Sequence, residues 1–179
     1  MLRKEDSLLV IVDVQGKLAQ IMDGRDELFK GLENIVAGCK VLELPIIWME
    51  QNPTGLGPTI PEIAYQLPDL EPLSKDCFSC CGSPEFMNQL KATGRKQVLL
   101  VGIEAHICVY QTAVELMDAG YEVHLVTDAV SSRTAANREL AIRKMESLGA
   151  QVTGVEMALF ELQKVAEGKI FRKILKIIK

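Results

Sequence analysis

Ser7-Leu-Leu-Val-Ile-Val-Asp13 packs five consecutive apolar residues, three of them β-branched, between two polar ones. Unbroken apolarity, rather than alternation, suits a strand buried on both faces, as in parallel sheets covered by helices on each side. The same signature recurs along the chain. Ile46-Ile-Trp-Met-Glu50, Gln97-Val-Leu-Leu-Val-Gly102 and Glu122-Val-His-Leu-Val-Thr127 read as strands, and Gln151-Val-Thr-Gly154 as a short one. Helical patterns lie between them. Residues 27–44 carry Leu28, Leu32, Ile35, Val36, Cys39 and Leu42 at helical spacing and end at Pro45. Ser83 and Pro84 open a helix to Thr93 as N-cap and first residue. Helices over 107–119 and 135–148 stop at Gly120 and Gly149, and two more, 157–166 and 170–178, finish the chain. Strand–helix alternation predicts an α/β protein, a three-layer α/β/α sandwich with a mainly parallel sheet.

All seven prolines fall between Pro45 and Pro84, and residues 51–76 read as one long irregular connection. Connections of that length inside a compact domain usually line a site. With 179 residues and no linker, the chain reads as a single domain over 1–179. A net charge of −4 and a pI near 5.3 offer no general attraction to nucleic acid or anionic membranes. No apolar run approaches the ~18–20 residues that span a bilayer. The N-terminus does not read as a signal peptide, and five cysteines are an odd number at low density; both fit a cytoplasmic, reducing compartment.

In parallel α/β sheets ligands sit beyond the carboxyl ends of the strands. Asp13 ends the first strand, Cys108 follows the third at the start of a helix, and Lys75 closes the proline-rich connection. They offer a base, a nucleophile and a cation. A thiol in a first helical turn meets unpaired N–H groups and the positive end of the helix dipole, which favour thiolate. Read singly, each has a plain alternative: a buried cysteine acting as a small hydrophobe, an aspartate capping a turn, a solvated lysine. Gln15 adds an amide near the same strand end. Cys77-Phe-Ser-Cys80-Cys81 contains a CxxC, but after a loop rather than a clear strand, which disfavours a redox or metal role. Only two histidines are present, His124 within a strand and His106 two residues before Cys108. His106 is assigned a structural role. Phosphate-binding glycine motifs and GxSxG are absent.

Val10-Ile-Val-Asp13-Val-Gln15, Lys75-Asp-Cys-Phe-Ser79 and Val101-Gly-Ile-Glu-Ala-His-Ile-Cys108-Val, in that order, resemble the isochorismatase-like cysteine hydrolase superfamily. Thr127-Asp-Ala-Val-Ser-Ser-Arg133 and Glu156-x-x-Leu-Phe160 are similar to its isochorismatase domain-containing subgroup. The resemblance implies an isochorismatase-like, Rossmann-like fold in which Asp13 is general base, Lys75 orients it, and Cys108 is nucleophile. It further implies a cis Ile103–Glu104 peptide and an oxyanion hole from the Glu104 and Cys108 N–H groups. Gln15, Gln51, Asn52 and Glu104 are the candidate substrate-binding residues. Nicotinamidases of this superfamily carry metal-binding histidines after the second strand; here Glu50-Gln-Asn-Pro-Thr-Gly-Leu-Gly-Pro58 has none, so no metal and no cofactor are expected. A Glu104 carboxylate lining the site would repel a dianion, unless it points away or pairs with an arginine.

The function expected is metal-free hydrolysis of a small amide-like substrate through a covalent thioester. The alternative is a non-catalytic scaffold or thiol sensor on the same fold. The apolar stripe of residues 170–178 is expected to pack on its own domain or to join a subunit interface, and a homo-oligomer, dimer or tetramer, is expected.

Overall fold

The computed structural model describes residues 1–179. The six strands are β1 (Ser7–Val12), β2 (Ile46–Gln51), β3 (Leu73–Lys75), β4 (Gln97–Gly102), β5 (Glu122–Val130) and β6 (Gln151–Thr153). Nine α-helices connect and cover them: α1 (Gly16–Gln20), α2 (Arg25–Val41), α3 (Pro53–Leu56), α4 (Pro61–Ala64), α5 (Pro84–Ala92), α6 (Tyr110–Asp118), α7 (Ala135–Ser147), α8 (Val155–Gln163) and α9 (Gly168–Ile178). The strands pair in the order β3-β2-β1-β4-β5-β6, and every pairing is parallel.

β1 shows why continuous apolarity was needed. Leu9 and Ile11 point into a core formed with α2, α8 and α9, while Leu8, Val10 and Val12 point into a second core formed with α5, α6 and α7. All five are fully buried, so the sheet is the middle of three layers. Several features escaped the sequence reading, the short helix α1 among them. β3 has only three residues, of which Leu73 is half-buried and Ser74 exposed, so it leaves no apolar run to read. The long connection holds α3 and α4, single turns each opened by a proline. β5 continues to Val130, beyond the expected end at Thr127.

The chain builds outward from β1 to β3, then returns to place β4 on the other side of β1. That reversal is the switch point of a doubly wound sheet, where side chains from the two diverging connections face one crevice. Val12 lies opposite Gly102 there. Gly102 has φ +117°, and a Cβ on it would sit 2.1 Å from the Val12 carbonyl oxygen. Only glycine lets the two strand ends approach this closely. At the far end of the chain, α9 packs on its own domain against α2 and α8, burying Ile174 and setting Phe171 6.1 Å from Phe160. No helix is long and apolar enough to cross a membrane.

Candidate active site

Asp13 stands at the switch point in a left-handed backbone conformation (φ 52°), which aspartate tolerates better than most residues. Its N–H donates to the Met49 carbonyl at 3.2 Å. Lys75, the last residue of β3, reaches across β2 to it. Lys75 Nζ lies 2.7 Å from Asp13 Oδ2, 2.8 Å from Gln51 Oε1, and 2.9 and 3.1 Å from the Phe78 and Cys77 carbonyl oxygens. The side chains of this ion pair are 0% and 2% exposed. A buried ammonium needs such oxygens, and this cradle fixes the lysine. Asp13 Oδ1, by contrast, is buried with no hydrogen-bond partner.

Cys108 lies in a π-helical turn, Ala105–Val109, between β4 and α6. Its thiol is next to the Asp13 carboxylate, though outside ordinary hydrogen-bond geometry. Burial, and then the negative charge of Asp13, push the thiol up to about 12, against the pull of Lys75. Burial also raises the Asp13 carboxyl above its usual value, again against Lys75. The lowering expected from the helix start is opposed here by desolvation and the adjacent carboxylate, which outweigh the lysine. In a difference titration of the wild type against Cys108→Ser, thiolate absorbance near 240 nm should be missing at pH 8 and emerge only above about pH 10. Full thiolate at pH 7 would contradict this.

The structure separates the four candidate substrate-binding residues. Gln51 faces the site: its side-chain Oε1 accepts from Lys75, while its Nε2 donates to the Asp76 carbonyl at 2.9 Å. Gln15 does not. It is fully buried, donating to the Gln51 and Gly57 carbonyls at 3.0 and 2.7 Å and accepting from the Gln51 N–H at 2.7 Å. It braces β1 against β2 and the loop after α3. Asn52 caps α3 instead, its Oδ1 accepting from Thr54 Oγ1 at 2.8 Å and the Gly55 N–H at 3.3 Å. Glu104 lies at the site, after a cis peptide bond from Ile103. Its Oε2 accepts from Arg133 Nε at 3.1 Å and the Arg133 N–H at 3.2 Å, so the arginine partner exists. His106 bonds the Ser132 hydroxyl at 2.9 Å, in keeping with a structural role.

These groups line a small cavity of about 100 Å³. Asp13, Gln51, Glu104 and Cys108 supply its polar floor; Leu18, Leu56, Phe78, Ile103 and Ile107 supply apolar walls. The wall residues and Arg133 were not singled out from sequence. Phe78 and Arg133 stand inside quoted motifs, but Leu18 and Leu56 sit on single short helices with no local signal. A larger hollow of about 360 Å³, with Asp23, Glu27, Asp128 and Arg138, holds no cysteine, and the hydroxyl of its Ser131 donates to the Asp23 carbonyl at 2.6 Å. All five cysteines are free, and no group of three or more His, Cys, Asp or Glu is gathered to hold a metal.

Residues 7–157 match the isochorismatase domain family. A secreted isochorismatase effector of Phytophthora sojae is 38% identical over 178 residues, covering 97% of this chain and 84% of that protein. Among solved structures, the MAR1 ribonuclease of Caenorhabditis elegans superposes with a TM-score of 0.92 at 35% identity, over 99% of this chain and 91% of that one. The YcaC proteins are similar. That of Escherichia coli, described as an octameric hydrolase of unknown specificity, has a TM-score of 0.93 at 26% identity over 99% and 88% of the two chains. That of Pseudomonas aeruginosa, solved with hexane-2,5-diol and covalent acrylamide, has 0.92 at 25% identity over 98% and 90%.

Proposed function

The chain belongs to the isochorismatase family of hydrolases, and from that premise we propose that it hydrolyses a small amide-type substrate through a thioester on Cys108. The observation that carries this reading is the buried Asp13 carboxylate beside the thiol, with Oδ2 held by Lys75 and Oδ1 unpaired. As Cys108 Sγ attacks the carbonyl carbon, Oδ1 takes the thiol proton; a raised carboxyl is the stronger base for that step. The tetrahedral oxyanion is received by backbone N–H groups, and the Glu104 N–H has no protein acceptor to compete for it. Asp13 then gives its proton to the leaving nitrogen as the C–N bond breaks. Water, deprotonated by Asp13, attacks the thioester, and the proton returns to the departing sulfur.

Ribonuclease activity, which the name of the C. elegans neighbour suggests, fits this site poorly. A phosphodiester backbone calls for exposed cations along its path, whereas the site's lysine is sealed and the cavity is small and apolar-walled. The covalent acrylamide on the P. aeruginosa protein fits a nucleophilic group that small electrophiles can reach. Five free cysteines support a reducing, cytoplasmic setting, and the octameric E. coli neighbour supports a homo-oligomer. The test is ammonia release from a panel of small primary amides, with intact-mass detection of an acyl adduct on Cys108. Turnover with a trappable adduct is expected. Neither turnover nor adduct across the panel would overturn the reading in favour of a scaffold or thiol sensor.

A further inference from the structure

Glu104 lines the cavity and carries two unfilled hydrogen-bonding groups. Its backbone N–H has no protein acceptor. On the side chain, every donor falls on Oε2: Arg133 Nε at 3.1 Å, the Arg133 N–H at 3.2 Å, and His106 Nδ1 in longer contact at 3.9 Å. Oε1 receives none. Asp13 Oδ1 is the one side-chain polar atom that is both sealed off and unpaired. Glu104 Oε1, equally unpaired, is therefore open to space, and the space that Glu104 lines is the catalytic cavity. A carboxylate oxygen can only accept, so its complement is a donor. Arg133 fixes the orientation of the group and balances its charge.

We infer that Glu104 is the specificity-determining residue, whose Oε1 accepts an N–H from the leaving nitrogen of the substrate. Its free N–H and free Oε1 together match the two ends of an O=C–N–H group. This rests on the hydrolase reading above and narrows it to uncharged amides that keep at least one N–H. Carboxylates are rejected by Oε1. Esters and tertiary amides leave it unpaired in an apolar-walled space, where an unmet acceptor is costly. A cationic substrate is disfavoured because the walls are aliphatic and aromatic and both nearby carboxylates already hold a cation.

The test uses three isosteric probes, propionamide, propionate and butan-2-one, as protectants of Cys108 against iodoacetamide. Alkylation is followed on the Cys108 peptide, because Cys77 and Cys81 are only partly buried. Propionamide should protect at concentrations about tenfold or more below the other two. In Glu104→Gln the side-chain oxygen stays on Arg133 and an NH2 replaces the acceptor, so that preference should vanish. Equal protection by all three probes in the wild type would overturn the inference, and that comparison stands even if the variant fails to fold. A preference for propionamide retained by folded Glu104→Gln would also overturn it. Selective protection without ammonia release from any amide overturns the hydrolase reading but leaves Glu104 reading amide N–H. Ammonia release without selective protection overturns this inference alone.

Discussion

Cys108→Ala is expected to lower amide turnover by at least about 10³-fold and to abolish the acyl adduct, while the protein still folds. Cys108 carries the only thiol lining the cavity, no hydroxyl lines it, and both lining carboxylates are held by cations. The substitution deletes one sulfur from a residue already 8% exposed, so the void it leaves can fill from the cavity. Cys39→Ala is the matched control. Cys39 is fully buried in the opposite core, where only packing depends on it. That variant should melt lower and keep its turnover within a few-fold. Ammonia release and thermal melts on the two variants decide the matter. Turnover that survives Cys108→Ala would end covalent catalysis by this residue.

The parts of this site legible in the sequence are those fixed by chain geometry. Asp13 and Cys108 were locatable because a continuous apolar run ending in a polar residue marks the carboxyl end of a buried parallel strand, and such ends gather at one edge. Lys75 was legible only through its motif, since β3 is too short to announce itself. What stayed hidden depends on partners distant in sequence. Gln15 reads as a site amide until its contacts with Gln51 and Gly57 are seen. The Glu104–Arg133 pair spans 29 residues, and neither residue alone indicates it. The thiol's high pKa is likewise set by burial and by a carboxylate 95 positions away, which oppose the lowering expected from the local helix start.

The second large effect concerns stability and follows from the same buried pair. Lys75→Met leaves the Asp13 carboxylate in the interior without its cation, a change expected to cost about 3–5 kcal/mol. For a chain of this length that lowers the melting temperature by roughly 10 °C. Turnover should fall as well, because Oδ2 loses the group that orients it. The pH dependence has a definite sign. The folded Asp13 carboxyl already lies above its ordinary value, so between the two values the native state holds more protons than the unfolded one, and this group's stability contribution is lost as pH rises through the folded value. Removing Lys75 removes the largest opposing influence, so the deficit of Lys75→Met should be larger at pH 8 than at pH 5. Asp13→Asn should cost less, because Lys75 keeps three other oxygens, from Gln51, Cys77 and Phe78. The double variant Asp13→Asn/Lys75→Met should then lose less than the sum of the single losses, since neither charge is left alone. Melts of all four proteins at both pH values measure the coupling. Strictly additive losses would show that the two side chains do not hold one another. A recovered, stable double variant without turnover would instead mean that the interior carries this ion pair for chemistry rather than for folding.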